Sequence, residues 1–311
     1  MRGSIPVTLI GGYLGAGKTT LVNHLLRNAN GRRLAVLVNE FGELPVDADL
    51  IVAREGNLIS ISGGCICCSF GSDLLAALMQ LKDRNEAIDH LLIETSGVAL
   101  PESIVQSLSL LPDIALDGVI VLADAETIEA RARDRYMGDT VLAQLAHADI
   151  ILLNKVDLVS PERLGAVSRW LNETAPRARV IPARKADIPL EIIVGQHSLR
   201  PSDKKLTPLS GHRHTAEYET LSLEINAPRD PERQADGLTR ADAGLLRAKG
   251  FVRRLDGAFA TLHVVGQRAL VEPAPDWIEG PGRLVCIGLA DQINRSAILT
   301  AIEASLIVSA S

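Results

Sequence analysis

A glycine-rich loop near the start of this 311-residue chain has the composition of a phosphate-binding site. It fits G-x-x-x-x-G-K-T and lies between a strand-like apolar segment and a helical pattern, which is the context that such a loop needs. Glycines allow backbone N–H groups to surround phosphate oxygens, a lysine can neutralise the β- and γ-phosphates, and a threonine hydroxyl can hold Mg²⁺. The residues expected to contact the nucleotide here are Gly12, Gly15, Ala16, Gly17, Lys18, Thr19 and Thr20.

A cluster of thiols follows about fifty residues later, in the run Gly63-Gly64-Cys65-Ile66-Cys67-Cys68. Thiolates prefer Zn²⁺, Cu(I) or Co²⁺ to Mg²⁺. Three thiols leave a fourth tetrahedral position open, which Glu43, a histidine or water could fill. Incomplete ligation is expected of a metal that is bound and released. The same thiols could instead form a redox relay, in which one attacks the sulfenic acid of another.

The run Asn154-Lys155-Val156-Asp157 predicts selectivity for guanine. The Asp157 carboxylate can accept hydrogen bonds from the N1–H and 2-amino group of guanine, whereas adenine would leave it unpaired. The Lys155 stem can cover the face of the base, and Asn154 can brace the loop. In this order after a phosphate-binding loop, the pattern favours GTP over ATP.

Polar residues after two further apolar strands are expected to sense the γ-phosphate. Glu94 ends one strand and could hold the Mg²⁺ shell, and the N–H of Gly97 could contact the γ-phosphate. A carboxylate- and glycine-containing loop after the second strand has the composition of a mobile switch; its residues are Asn39, Glu40, Gly42 and Glu43. Asp124 ends another strand and is either a weak candidate for positioning the hydrolytic water, with Glu40 and Glu43, or a helix N-cap.

The spacing of apolar residues predicts the elements that position these groups. Strands alternate with helices up to about residue 182, which is typical of a doubly wound, mostly parallel α/β sheet of the phosphate-loop NTPase class. Strands are expected at residues 7–10, 34–38, 58–61, 90–94, 118–124, 150–154 and 179–181. Helices are expected at residues 19–27, 73–82, 101–108, 140–146 and 161–174.

The chain divides by composition into a domain over residues 1–185, a connector over 186–214 and a C-terminal domain over 215–311. The connector is rich in proline, is partly helical near residues 190–194, and carries His212 and His214 as further ligand candidates. The C-terminal part predicts a small α+β domain with an antiparallel sheet. A helix is expected over residues 241–249, ending at Gly250, with strands at 219–225, 251–255, 258–265, 269–273 and 284–288 and a last helix at 294–305.

Composition excludes several function classes. A net charge of −6 gives no nucleic-acid footprint. No apolar run reaches the ~18–20 residues of a membrane span, and the N-terminus lacks the pattern of a secretory signal. Crowded thiols in such a chain indicate a metal or redox site in a reducing cytoplasm. The fourth cysteine, Cys286, lies within a predicted strand and is expected in the core.

Five motifs in this order resemble the CobW-type metallochaperone GTPases: GGYLGAGKTT, NEFGE, GGCICC, IETSG and NKVD. The C-terminal run RAKGFVRRLDG is similar to the C-terminal domain of that family. The resemblance implies GTP hydrolysis with Mg²⁺, and a Zn²⁺ or Co²⁺ ion bound by Cys65, Cys67 and Cys68. It also implies a client metalloprotein that docks on the C-terminal domain.

The sequence therefore predicts a cytoplasmic, slowly hydrolysing GTPase that releases Zn²⁺ or Co²⁺ to a client. Lys18, Glu94 and Gly97 are the expected catalytic groups. Delivery of cobalt during cobalamin synthesis, or activation of one enzyme such as nitrile hydratase, is a narrower form of the same function. A redox-regulated GTPase and a nucleotide-dependent adaptor are alternatives. The oligomeric state cannot be inferred from these residues.

Overall fold

A computed structural model describes residues 4–38, 58–62, 88–111, 113–195, 217–240, 242–275 and 278–306; for residues 58–62 it describes the backbone alone. The contacts divide the chain into two compact units, Met1–His197 and Ser198–Ser311. Within the described ranges, no helix has both the length and the apolar composition that crossing a membrane requires.

The first unit is a parallel sheet with helices on both faces, as predicted. Its strands follow the order β3-β2-β4-β1-β5-β6-β7, and each neighbouring pair is parallel. Its elements are β1 (Ile5–Gly12), α1 (Lys18–Arg27), β2 (Leu34–Val38), β3 (Leu58–Ser62), β4 (His90–Glu94), α2 (Pro101–Leu108), β5 (Ile114–Asp124), α3 (Ile128–Ala132), α4 (Gly138–Ala146), β6 (Ile150–Asn154), α5 (Pro161–Thr174), β7 (Arg179–Pro182) and α6 (Leu190–Val194).

Nearly continuous apolar strands explain why both faces of this sheet are covered. Val7 and Leu9 point to one face and join a core with side chains from α2, α4 and α5. Ile10 points to the opposite face and is fully buried, and α1 and α6 contact β1 there. Six strands and five helices match the predicted bounds to within two residues or better, whereas β5 begins at Ile114 and α3 was not expected. The helix predicted over residues 73–82 lies outside the described part of the chain.

Strand register aligns the carboxyl ends of four strands. Ile10 of β1 and Val38 of β2 both pair with Glu94 of β4. Val38 also pairs with Ser62, the last residue of β3. The segments that follow these strands therefore all leave the sheet at one edge, where open parallel sheets bind their ligands.

The segment after β7, which was expected to begin the connector, packs on the first unit. Ile192 and Ile193 of α6 are fully buried. The Thr8 hydroxyl donates to the carbonyl of Ile193 at 2.9 Å, and His24 Nε2 donates to the carbonyl of Ile188 at 2.9 Å. Hydrogen bonds thus connect the segment over residues 188–193 both to the sheet and to α1.

The second unit is an antiparallel sheet, as predicted, and two helices cover one of its faces. The strand order is β11-β10-β9-β12-β8. Its core is formed by alternate strand residues and by apolar side chains of the helices. The elements are β8 (Tyr218–Ile225), α7 (Pro231–Arg240), β9 (Leu245–Arg253), β10 (Phe259–Val265), β11 (Arg268–Pro273), β12 (Gly282–Leu289) and α8 (Arg295–Ala304).

The predicted helix over residues 241–249 is wrong, because most of this segment belongs to strand β9. Gly250 does not cap a helix: it pairs with Leu262 and Leu284 within the sheet. A Cβ at Gly250 would lie 2.0 Å from the carbonyl oxygen of Arg283. Glycine is present because a neighbouring backbone approaches closely, and not because a helix ends there.

Candidate functional site

The phosphate-binding loop connects β1 to α1 and depends on glycine at two crowded positions. Gly12 has φ 130° and Gly17 has φ 106°, values that favour glycine. A Cβ at Gly12 would lie 2.4 Å from the carbonyl oxygen of Leu122, and a Cβ at Gly17 would lie 2.5 Å from Nδ2 of Asn154. Gly15, with φ 79°, faces open space. At its glycines the loop therefore presents backbone without a side chain, and this backbone can approach an anion closely.

Lys18 begins α1 and points back into the loop. Its side chain is buried, and its Nζ donates to the carbonyl of Gly12 at 2.9 Å. Ala16 is buried beside it, whereas Thr20 is exposed on the first turn of the helix. Among the described residues no side chain caps the N-terminus of α1. Its N–H groups, its positive dipole end and the Lys18 ammonium all favour an anion at this position.

Thr19 and Glu94 come together at the end of β4. The Thr19 hydroxyl donates to Glu94 Oε1 at 3.0 Å, and Glu94 is 4% exposed. A hydroxyl and a carboxylate are hard oxygen ligands of the kind that Mg²⁺ prefers. The pair is already in contact beside the phosphate-binding loop, so it fits an octahedral cation held between protein and phosphate.

Gly97 lies against the phosphate-binding loop, in a turn that α4 holds. A Cβ at Gly97 would lie 2.8 Å from the backbone nitrogen of Leu14. Gln144 is almost fully buried and donates from Nε2 to the carbonyls of Gly97 at 3.1 Å and Ala99 at 2.9 Å. Gln144 was not predicted from the sequence. The signal was an amide beside Leu145 on a helix face that is otherwise apolar.

Asn154 joins the phosphate-binding loop to the loop that follows β7. Its Nδ2 donates to the carbonyl of Ala16 at 2.9 Å. Its Oδ1 accepts from the N–H of Ala186 at 2.8 Å. Asn154 is 2% exposed, so both bonds are shielded from water. The side chain braces the loop as expected, and the contact to Ala186 was not foreseen from the sequence.

Asp157 and Lys155 differ in their surroundings. Asp157 is exposed in the 3₁₀ turn Val156–Leu158, where its carboxylate can contact a base that binds from solution.

Lys155 is paired with a carboxylate at the end of β5. Lys155 has φ 61°, and its Nζ lies 2.6 Å from Oδ2 of Asp124. Asp124 is not the N-cap of α3, since Thr127 holds that position. Its carboxylate orients the lysine and also accepts from the N–H of Glu126 at 2.9 Å.

The other predicted site residues lie outside the described part of the chain. These are Asn39, Glu40, Gly42, Glu43, Cys65, Cys67, Cys68, His212 and His214. Within the described part, no group of three or more His, Cys, Asp or Glu side chains is arranged to hold a metal ion. Cys286 is fully buried in β12, as expected, and burial raises the pKa of its thiol to about 12. This cysteine therefore stays protonated and is a poor metal ligand.

A phosphate-binding loop after the first strand of a parallel sheet, with an N-K-x-D corner at the same edge, defines a phosphate-loop GTPase. The model of the CobW/HypB/UreG nucleotide-binding domain matches residues 6–182. The model of the cobalamin synthesis protein cobW C-terminal domain matches residues 218–306. The chain therefore belongs to the CobW family of GTPases.

The chain can be aligned with named proteins over all or part of its length. It is 30% identical to the zinc chaperone CobW of Sinorhizobium sp, over 97% of this chain and 98% of that protein. It is 41% identical to the zinc chaperone YjiA of Escherichia coli, over 55% of this chain and 56% of that protein. The crystal structure of Zn(II)-bound YjiA GTPase from E. coli matches with 25% identity and a TM-score of 0.48, over 98% of this chain and all of that one.

Proposed function

We propose that this protein is a GTP-dependent metal chaperone that carries Zn²⁺ or Co²⁺ on Cys65, Cys67 and Cys68. Hydrolysis of GTP releases the metal to a client metalloprotein, which docks on the C-terminal domain over residues 215–311. The chaperone acts in the cytoplasm. The observation that carries the proposal is the strand register, which aligns the end of β3 with the Glu94 end of β4.

The register limits how far the thiols can be from the nucleotide. Ser62 and Glu94 are both paired with Val38 of the strand between them. Neighbouring strands lie about 4.8 Å apart, so the two backbones are separated by roughly 10 Å. Cys65 follows Ser62 by three residues, a reach of at most about 10 Å. The Cys65 backbone therefore lies at most about 20 Å from that of Glu94, which keeps the thiols on the nucleotide side of the sheet.

The geometry of the described loop supports the following nucleotide contacts. Lys18 and the N–H groups around Gly12, Gly15, Ala16, Gly17 and Thr20 bind the phosphates. Thr19 and Glu94 hold Mg²⁺, which supplies neutralising charge on the β- and γ-phosphates. Gly97 contacts the γ-phosphate through its N–H. Asp157 reads the guanine edge, while Asn154 and Lys155 fix the shape of the corner.

Coupling between nucleotide and metal is assigned to the segment between β2 and β4. Asn39, Glu40, Gly42 and Glu43 form the switch, and Glu43 is the proposed fourth metal ligand. If Mg²⁺–GTP changes the metal affinity by some factor, bound metal changes the GTP affinity by the same factor. Relatives named as zinc chaperones support Zn²⁺ as the cargo.

The test is the affinity for Zn²⁺ and Co²⁺, measured by competition with a chelator of known strength. It is measured with a Mg²⁺–GTP analogue and again with Mg²⁺–GDP. We expect tighter binding with the GTP analogue. The triple variant Cys65→Ser, Cys67→Ser, Cys68→Ser is expected to lose this binding. Cys286→Ala is the matched control, because its buried thiol stays protonated, and it is expected to retain wild-type affinity.

Equal metal affinities in the two nucleotide states would refute the gating. Unchanged affinity in the triple variant would refute the assignment of the ligands. Turnover of GTP that responds to reversible thiol oxidation, together with weak metal binding, would favour the redox-regulated GTPase instead.

A further inference from the structure

Arg131 lies near the edge of the sheet where the nucleotide is expected to bind, but it belongs to none of the sequence motifs. It lies on α3, which follows the carboxyl end of β5 after a short turn. In the register, Leu122 of β5 pairs with Gly12 of β1. The helix that carries Arg131 therefore starts beside the phosphate-binding loop.

The contact that places Arg131 is with an aromatic ring of that loop. Its guanidinium carbon lies 5.3 Å from the centroid of the Tyr13 ring, within the range of a cation–π interaction. Tyr13 is partly buried and packs on the sheet core. The Tyr13 carbonyl also lies 3.5 Å from Lys18 Nζ. A well-packed ring thus holds a guanidinium next to the backbone that surrounds the phosphates.

Two other cations near this edge are paired with carboxylates. Lys155 is paired with Asp124 at 2.6 Å, and Arg163 Nη1 is paired with Glu129 at 2.6 Å. Arg131 is exposed and has neither a hydrogen bond nor an ion pair to any side chain in the described part of the chain. Its N–H donors remain available to a ligand.

The carboxylate three residues further along the chain is bonded to backbone donors of its own turn. Asp134 follows Arg131 by three residues, and its Oδ1 accepts from the N–H groups of Tyr136 at 2.8 Å and Met137 at 3.0 Å. These two bonds are the main reason that the pKa of Asp134 is lowered, and the charge of Arg131 adds to the effect. The Asp134 carboxylate therefore bonds to backbone N–H groups of its own turn.

We propose that Arg131 is a catalytic residue that donates to the γ-phosphate of GTP and stabilises the charge that develops during hydrolysis. A water oxygen forms a bond to the γ-phosphorus as the bond from that phosphorus to the β–γ bridging oxygen breaks. GDP leaves with the electron pair, and the protons of the water pass to phosphate and solvent. An arginine placed within the same chain makes no covalent bond to phosphorus and acts through its charge and its hydrogen-bond donors.

The test compares Arg131→Ala and Arg131→Lys with Arg133→Ala, which removes an exposed arginine from the same segment without touching Tyr13. Single-turnover hydrolysis of Mg²⁺–GTP is measured for each. Removal of Arg131 is expected to slow hydrolysis by about 10³-fold, the lower end for arginines of this role. Lysine is expected to restore only part of the rate, because it lacks the planar set of donors. Arg133→Ala is expected to match the wild type.

A second readout separates a catalytic role from a structural one. GDP affinity is measured with and without aluminium fluoride, which imitates the transferring phosphoryl group. Arg131→Ala is expected to lose the preference for GDP with aluminium fluoride and to keep its affinity for GDP alone. Tyr13→Leu, which removes the ring, is expected to weaken the same preference. An Arg131→Ala variant with the same rate and the same preference as Arg133→Ala would overturn the assignment.

Discussion

Asn154 offers a quantitative test of what stabilises the guanine corner, the turn over residues 154–157. Replacing it with alanine leaves the carbonyl of Ala16 and the N–H of Ala186 without the amide that now bonds both. Both residues are buried, at 2% and 0% exposure. A buried polar group that loses its partner destabilises by about 1–3 kcal/mol. With two such groups unpaired, Asn154→Ala is expected to lower the free energy of unfolding by roughly 2–6 kcal/mol.

The assay is urea unfolding of the full chain without nucleotide. The transition of the first unit is identified by its shift when Mg²⁺–GDP is added, because a ligand stabilises the state that it binds. Asp157→Ala is the control: Asp157 is exposed. Its removal is expected to change the free energy of unfolding by less than about 0.5 kcal/mol while abolishing guanine selectivity.

Asn154→Ala is expected to weaken both stability and GDP binding, whereas Asp157→Ala weakens binding alone. An Asn154→Ala protein within about 0.5 kcal/mol of the wild type would refute the reasoning, since it would show that neither bond contributes. A loss of stability in both variants would show that Asp157 is also structural.

Three further predictions concern particular positions. Gly17→Ala is expected to abolish GDP binding, measured by calorimetry, because its Cβ would lie 2.5 Å from Nδ2 of Asn154 at φ 106°. Gly250→Ala is expected to unfold the second unit at lower temperature, measured by scanning calorimetry, since Arg283 leaves no room for a Cβ; wild-type melting would contradict this. Cys286 is expected to escape alkylation at pH 8 until the chain is denatured, as mass spectrometry would show, because it is buried and the pKa of its thiol is about 12.

The first unit was predictable because its strands are short, apolar and separated by clear turn signals. The bounds of β4 and of α5 agree with the sequence pattern. The start of α5 illustrates the reason: Ser160 accepts from the N–H of Arg163, and proline occupies the first helical position. Local chemistry of this kind is visible in the sequence itself.

The second unit was harder to predict because tertiary contacts override its local signals. Helix α7 begins at Pro231 and was missed, since few of its residues are apolar and it buries a narrow face. The segment before Gly250 has an apolar spacing that also fits a helix. The segment forms a strand because it pairs with β10 and β12. The local sequence pattern does not reveal this pairing.

Within the site, the sequence predicted the residues of the nucleotide-binding motifs, but it did not predict the side chains that contact those motifs from other elements. The link from Thr19 to Glu94 follows from two motifs at aligned strand ends. Gln144 and Arg131 belong to no motif, and their positions depend on how α3 and α4 pack. Long-range placement of single side chains is information that the fold supplies.

The segment over residues 186–195 also determines how force travels along the chain. Ala186 holds Asn154, and beyond it the backbone is fastened at the carbonyls of Ile188, Ile193 and Gly195. A pull applied beyond Gly195 loads these three fastenings one after another before it reaches the guanine corner. These bonds are expected to break before the guanine corner is disturbed, so that the first unit unfolds stepwise under tension, beginning at α6.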